Sequence, residues 1–376
     1  MSQLLNMDRI QSVLSKLNSR AVNPMRGIHW IAKGILRGQG FKWEIRRNGD
    51  LKMGYWRKSL RTKNQKSAYP KRFVLIPGFG DTPLSWHAVV ILLLPVLKRQ
   101  YDEVILFDFP GFGGFLSKER AFPTVEMMMT SVADALDALK PHTLCGHSLG
   151  GWLAAYYAGV CGQGKRPASN RLNYSGPTSL LLINPSGIYP DEPTMRQCEA
   201  IIKGSLGMMG NEKDPPNERF SILRPHLFSK EPKWFSLISG HFKHFLGRED
   251  IVQFVGSAKE DLYTLNDTAK NIQAKTWVLW GENDTLIPVS CAESWLTCMN
   301  SENAPENVPE NVPKNVKEDK PQRKTESRAV ILKKTGHSPH LEAPVATSIV
   351  LGQILTGITP HRVGRRWWTV MQSSVS

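Results

Sequence analysis

Ser148 stands in Gly146-His147-Ser148-Leu149-Gly150, a Gly-x-Ser-x-Gly pentapeptide preceded by the apolar run Thr143-Leu144-Cys145. A serine hydroxyl is a weak nucleophile until a base takes its proton, and the base needs a third group to hold its tautomer. Two such groups follow, each after its own apolar run. Asp284 comes after Trp277-Val278-Leu279-Trp280, and His337 after Ala329-Val330-Ile331-Leu332. In this order the three suit acyl transfer. Ser148 attacks, His337 moves the proton, and Asp284 orients the imidazole and stabilises its charged form. The oxyanion that develops needs backbone N–H donors. Leu149, directly after the serine, and Phe79, in Pro77-Gly78-Phe79-Gly80, are the candidates, since glycines permit close backbone approach.

Neighbouring groups compete for these roles. His340 is a rival base to His337, and Glu282 a rival acid to Asp284. His147 reads as structural, because adjacent side chains diverge on so sharp a turn. Cys145 reads as a buried strand residue, and Asp108, in a Pro-Gly loop, as a turn residue.

The elements that must hold these groups are legible as a pattern. Phe73-Val74-Leu75-Ile76, Val104-Ile105-Leu106-Phe107, the run before Ser148 and Ser179-Leu180-Leu181-Leu182-Ile183 are short apolar strands. Helical stretches alternate with them near residues 86–97, 124–139 and 151–158. Such alternation predicts an α/β fold, a mostly parallel central sheet with helices on both faces. Functional loops then gather at the carboxyl ends of the strands. Asn48-Gly49 between two strand-like runs, 41–47 and 51–57, predicts a hairpin ahead of this core. Residues 58–71 read as a basic loop, and 329–332 as the last strand.

The expected organisation is a basic amphipathic extension at 1–38, a core at 39–186, a helical insertion at 187–270 and a second core segment at 271–376. Within the last, residues 301–328 are low in complexity, with Pro-Glu-Asn-Val repeating, a composition that does not fold on its own. The aromatic and methionine side chains of 187–270 suit either an apolar acyl pocket or packing onto the core.

Composition narrows the rest. Hydrophobic residues make up 41% of 376, enough for a sizeable core. No apolar run is long enough to span a bilayer, and no secretory signal is expected. Five cysteines without framework spacing suggest a reducing, cytoplasmic setting. No cofactor motif and no Cys/His cluster with metal-ligand spacing occurs. The net charge of +15 is uneven: residues 1–72 carry 17 basic and 3 acidic side chains, a net of +14. In 1–38, Met7, Ile10, Val13, Leu14 and Leu17, then Ile28, Ile31, Ile35 and Leu36, form apolar stripes opposite lysines and arginines. These stripes either pack on the core or lie on an anionic membrane surface. Nucleic acid is not an expected partner, since basic charge comes here without a recognition motif.

From about residue 72 to 357 the chain resembles the α/β-hydrolase fold family, in its group of esterases and lipases with a helical cap. The resemblance rests on Pro77-Gly78-Phe79-Gly80, Asp108-Phe109-Pro110-Gly111-Phe112-Gly113, Gly146-His147-Ser148-Leu149-Gly150-Gly151, Gly281-Glu282-Asn283-Asp284-Thr285-Leu286-Ile287-Pro288 and Gly336-His337-Ser338-Pro339-His340-Leu341-Glu342-Ala343-Pro344. It implies the triad Ser148, Asp284, His337 and a lid formed by 187–270. The chain departs from the usual pattern by having Pro77 where histidine is common, and by a longer connection between Asp284 and His337. A serine nucleophile also argues against the dehalogenase and epoxide-hydrolase branches, which need a carboxylate. The expected substrate is a small apolar carboxylic or lipid ester. Thioester or C–C hydrolysis by the same residues, and a non-enzymatic binding role, are the alternatives.

Overall fold

The computed structural model describes residues 24–48, 51–61, 69–116, 118–165, 174–209, 216–258, 264–301, 327–360 and 368–372. In chain order the first part comprises α1 (Pro24–Gly38), β1 (Lys42–Asn48), β2 (Leu51–Ser59), β3 (Arg72–Ile76), α2 (His87–Gln100) and β4 (Glu103–Asp108). Then come α3 (Val125–Leu139), β5 (Thr143–His147), α4 (Leu149–Gly162) and β6 (Ser179–Ile183). Four helices follow: α5 (Glu192–Ser205), α6 (Pro216–Leu227), α7 (Phe235–Leu246) and α8 (Glu249–Gly256). The chain resumes with α9 (Asn266–Ala269), β7 (Lys275–Gly281), α10 (Ser290–Asn300), β8 (Arg328–Leu332), α11 (Pro339–Glu342), α12 (Pro344–Leu355) and β9 (Trp368–Gln372).

Among the described residues nine strands form one sheet, in the order β1-β2-β4-β3-β5-β6-β7-β8-β9. The six from β4 to β8 run parallel, and β1, β2 and β9 close the two ends in antiparallel fashion. The parallel strands are almost wholly buried because alternate residues enter two separate cores. Val74, Ile105, Leu144, Leu180 and Val278 face one, with α3, α4 and α10. Phe73, Leu75, Cys145, Leu181 and Leu279 face the other, with α1, α2 and α12. Each fully buried Val, Leu, Ile or Phe contributes about 1.5–3 kcal/mol relative to exposure. A polar substitution on either face of these strands therefore breaks one core or the other.

Local chemistry sets the helix starts. Thr124 caps α3 by accepting a hydrogen bond from Met127 N at 3.1 Å. Asp191 caps α5 by accepting one from Thr194 N at 2.8 Å, with Pro193 in the first turn. An ion pair inside the helical insertion between β6 and β7 anchors it to backbone groups of the core. The Arg248 guanidinium donates to Gly111 O (2.8 Å) and Glu119 O (3.0 Å) and pairs with Asp250 at 2.6 Å. Asp250 in turn accepts from Ala121 N at 2.8 Å. Hydrogen bonds of this charged kind contribute about 1.5–3 kcal/mol each.

Three expectations change. The sheet does not end at β8: β9, an edge strand, pairs Val370 with Val330. Its five residues are too few to give a periodic signal. The helix after the serine begins at Leu149, not Gly151, so Ser148 is itself the cap. The apolar stripe of α1 splits. Ala32 and Leu36 are buried, whereas Ile31 and Ile35 are exposed. Residues 1–23 and 302–326, which carry the first amphipathic stretch and the tetrapeptide repeat, lie outside the described residues. No described helix is long and apolar enough to cross a membrane.

Candidate active site

Ser148 lies between β5 and α4 with φ 52° and ψ −119°, a conformation that L-residues rarely adopt. Two glycines make the turn feasible. A Cβ on Gly146 would sit 2.1 Å from Gly150 O, and one on Gly150 would sit 2.2 Å from Ile76 O. The turn is pinned by Ser148 N donating to Ile183 O at 2.9 Å, and the helix begins as Trp152 N donates to Ser148 O at 3.0 Å. The unpaired N–H groups at the start of α4 point toward the serine end of the sheet.

Asp284, at the end of β7, is buried and fully engaged. Its Oδ1 accepts from Leu286 N (2.9 Å) and Ile287 N (3.0 Å). Its Oδ2 accepts from Asn184 Nδ2 (2.5 Å) and from His337 Nδ1 (2.8 Å). A carboxylate can only accept, so Nδ1 of His337 is the donor in this pair and Nε2 is left for another partner. His337 and Ser148 line one cavity of about 70 Å³. A second, apolar cavity of about 170 Å³ opens on the other side of Ser148. Trp152, Tyr189, Met195, Ile202, Phe254 and Leu286 line it, beneath α5 and α8.

Phe79 borders both cavities, and Leu149 the larger. The loop carrying Phe79 runs against the serine: a Cβ on Gly78 would lie 3.2 Å from Ser148 Cβ and 2.9 Å from His147 Nδ1. The Phe79 ring packs on Phe245 and Phe254 of the insertion, at 5.2 and 6.4 Å between centroids.

The rival candidates separate cleanly. His340 does not reach Asp284. It stacks on Trp86 at 4.1 Å, with Nε2 3.4 Å from Asp81. Glu282 is exposed and accepts from Lys334 N at 3.0 Å. His147 is buried and donates from Nε2 to the carbonyl of His337 at 2.8 Å, so it holds the backbone of the base. Burial, and then the nearby His340 and His337 imidazoles, hold its pKa well below the usual histidine value, so it stays neutral. The Cys145 thiol is wholly buried and pushed up by that burial, so it supplies no thiolate. Asp108 accepts from Phe115 N at 2.5 Å, and burial pushes its carboxyl up to about 7, against the Phe115 hydrogen bond and the Lys33 ammonium.

Three residues escaped the sequence reading. Asn184 ends an apolar strand, and its φ of 43° turns its side chain onto Asp284. A polar residue at a strand's carboxyl end was the available signal. Glu342 accepts from Gly336 N and, at 3.1 Å, from Lys230 N, so it ties the His337 loop to the insertion. Asp81 follows Gly80 and had no periodic or motif signal at all.

Residues 73–348 match the family model described as "Alpha/beta hydrolase family". A stretch of 99 residues is 34% identical to the Caenorhabditis elegans abhydrolase domain-containing protein abhd-5.2. That match covers 25% of this chain and spans only 20% of the relative's length. Among solved structures, a membrane phospholipase A reported as a bacterial virulence factor superposes with a TM-score of 0.60 at 20% identity, over 93% of this chain and 97% of that one. A serine hydrolase of Cycloclasticus zankles gives 0.56 at 16% identity, over 85% and 99%. A thermophilic esterase of Thermogutta terrifontis gives 0.52 at 15%, over 84% and 98%. At such identities these likenesses speak for the fold. With a family model covering most of its length, this chain belongs to the alpha/beta hydrolase family.

Proposed function

We propose that this chain is a serine hydrolase of carboxylic esters that works through an acyl-enzyme on Ser148, His337 and Asp284. The observation that carries the reading is the Asp284–His337 pair at 2.8 Å, with the imidazole facing a cavity shared with Ser148. Ser148 Oγ adds to the ester carbonyl carbon while its proton passes to His337 Nε2. The oxyanion is held by the N–H groups of Phe79 and Leu149, worth about 10²–10³ in rate per donor. Collapse breaks the C–O bond, and the leaving alkoxide takes the proton from His337. Water then repeats the sequence on the acyl-enzyme and frees the acid.

The two cavities sort the substrate. The leaving alcohol must be protonated by His337, so it belongs in the smaller cavity that His337 lines. The acyl chain then occupies the larger apolar one, under the helices of 187–270 acting as a cap. Hydrolysis of p-nitrophenyl esters of increasing acyl length, with Ser148→Ala alongside, tests this. Activity that peaks at one chain length and vanishes in the variant is the expected result. An inactive but folded wild type would redirect the search to thioesters and C–C substrates.

A second reading concerns location. Trp30 of α1 is 76% exposed, and Ile31 and Ile35 lie beside it on the outer face. An exposed apolar stripe on a strongly basic N-terminal region suits peripheral binding to an anionic bilayer. Trp30→Glu should abolish pelleting with anionic vesicles and leave ester hydrolysis of soluble substrates intact. Equal pelleting of variant and wild type would remove the idea.

A further inference from the structure

Beside Ser148 lies a second cluster of imidazole and carboxylate that the proposed reaction does not use. Asp81 Oδ2 is 3.4 Å from His340 Nε2 and 3.9 Å from His147 Nδ1, and the three ligand atoms lie within 4.8 Å of one another. All three side chains line the smaller cavity, so the cluster opens to the site rather than being sealed in the core.

The hydrogen bonding of this cluster leaves three imidazole nitrogens without a partner. His147 Nε2 donates to a carbonyl, His337 O, which cannot donate in return. Nδ1 of His147 is buried without a hydrogen-bond partner, 3.9 Å from the Asp81 carboxylate. Neither nitrogen of His340 makes a hydrogen bond, though the ring is only 2% exposed and is clamped face to face on Trp86. Buried polar nitrogens left without partners beside a carboxylate are costly, and a cation standing among them would satisfy them together.

The carboxylate is also oriented as a metal ligand usually is. Thr82 N (2.7 Å) and Ser85 Oγ (2.6 Å) donate to Asp81 Oδ1, and Trp86 Nε1 (3.0 Å) donates to Oδ2. Such outer contacts fix a ligand's direction. Nitrogen and oxygen ligands on tetrahedral zinc lie about 3.3 Å apart, so small rotations of the two rings bring the set to bonding distance. Gly78 leaves the room, since a Cβ there would stand 2.9 Å from His147 Nδ1.

We propose that Asp81, His147 and His340 form a binding site for one divalent transition-metal ion, with Zn²⁺ the best match to a two-imidazole, one-carboxylate set and an open fourth position. No spacing in the sequence announces it, because Asp81 follows β3, His147 ends β5 and His340 lies in α11, and only the fold brings the three together. An ion held there would stand in the cavity of Ser148 and His337 and would obstruct the leaving-group side. Loss of ester hydrolysis on adding Zn²⁺, reversed by a chelator, is the functional consequence. That consequence rests on the proposed function, whereas binding itself does not.

Binding is tested on the full chain, stripped with chelator, by competition with a chromophoric zinc indicator and by Co²⁺ absorption. The expected result is one tight equivalent, retained in Ser148→Ala and lost in His340→Gln. In Trp86→Phe, which removes a donor to Asp81, affinity falls about 10- to 100-fold. Co²⁺ should give visible bands of a low-coordinate nitrogen–oxygen site without a thiolate charge-transfer band. Unchanged stoichiometry in a folded His340→Gln overturns the proposal. If that variant does not fold, anomalous diffraction from Zn²⁺-soaked wild-type crystals decides. A peak among the three residues supports the site, and its absence there, with or without zinc elsewhere, refutes it.

Discussion

Two aspartate–histidine pairs flank Ser148, built from the same residue types and different in every bond that matters. In one, Asp284 and His337 meet at 2.8 Å, and the carboxylate spends all of its remaining capacity on Asn184 and two backbone N–H groups. In the other, Asp81 is equally well supplied by Thr82, Ser85 and Trp86, yet His340 stands off at 3.4 Å and His147 at 3.9 Å. The contrast teaches that a carboxylate beside a histidine is not yet a relay. A relay needs one imidazole nitrogen committed and the other free and aimed at a nucleophile. An uncommitted ring beside a carboxylate is a ligand.

The largest expected effect tests that distinction directly. Asp284→Asn should lower kcat by about 10⁴, because the amide favours the wrong tautomer of His337. Asp81→Asn should lower it by about tenfold or less, through small displacement of the adjoining loop. Initial rates on the preferred p-nitrophenyl ester measure both, and equal losses would erase the difference between the pairs. Gly78→Ala comes next. Its Cβ would press on His147 Nδ1 and Ser148 Cβ and shift the Phe79 N–H. We expect a fall of about 10²–10³ in kcat with little change in KM. A rise in KM alone would instead mean that Phe79 acts through its ring, in binding.

A third buried aspartate sharpens the comparison because it has no histidine. Asp108 is raised to about 7 by burial, so the folded protein holds this proton more tightly than the unfolded chain does. Its contribution to stability is complete below the ordinary carboxylate range of about 4 and is lost as pH rises toward about 7. Asp108→Asn should flatten that decline. Melting midpoints of wild type and variant across this window give the comparison, and parallel curves would mean that the carboxyl is ionised throughout.

How much of this was legible in the sequence depended on whether a group announces itself along the chain. Ser148, Asp284 and His337 each end an apolar strand, and a parallel sheet delivers strand ends to one edge. Periodicity therefore located the fold and marked the strand ends after which these three candidates lie. The hairpin was legible from Asn48-Gly49, whose turn chemistry is local. Asp81, His147 and His340 were not legible as a set. His147 and His340 were visible only as rivals of His337, and Asp81 belonged to no pattern, since its neighbours come from across the sheet. β9 was hidden for a related reason: an edge strand of five residues buries too little to show alternation. The length and packing of the insertion were legible only as a break in rhythm.

The backbone of Ser148 carries one more consequence. A residue held at φ 52° and ψ −119° costs of order 1–3 kcal/mol against a relaxed conformation, and only glycine escapes that cost. Ser148→Gly should therefore melt several degrees higher than the wild type while losing the ester hydrolysis proposed for it. Natural selection acting on durability alone would drift toward glycine at this position. A Ser148→Gly variant that melts below the wild type would overturn this reading of the turn.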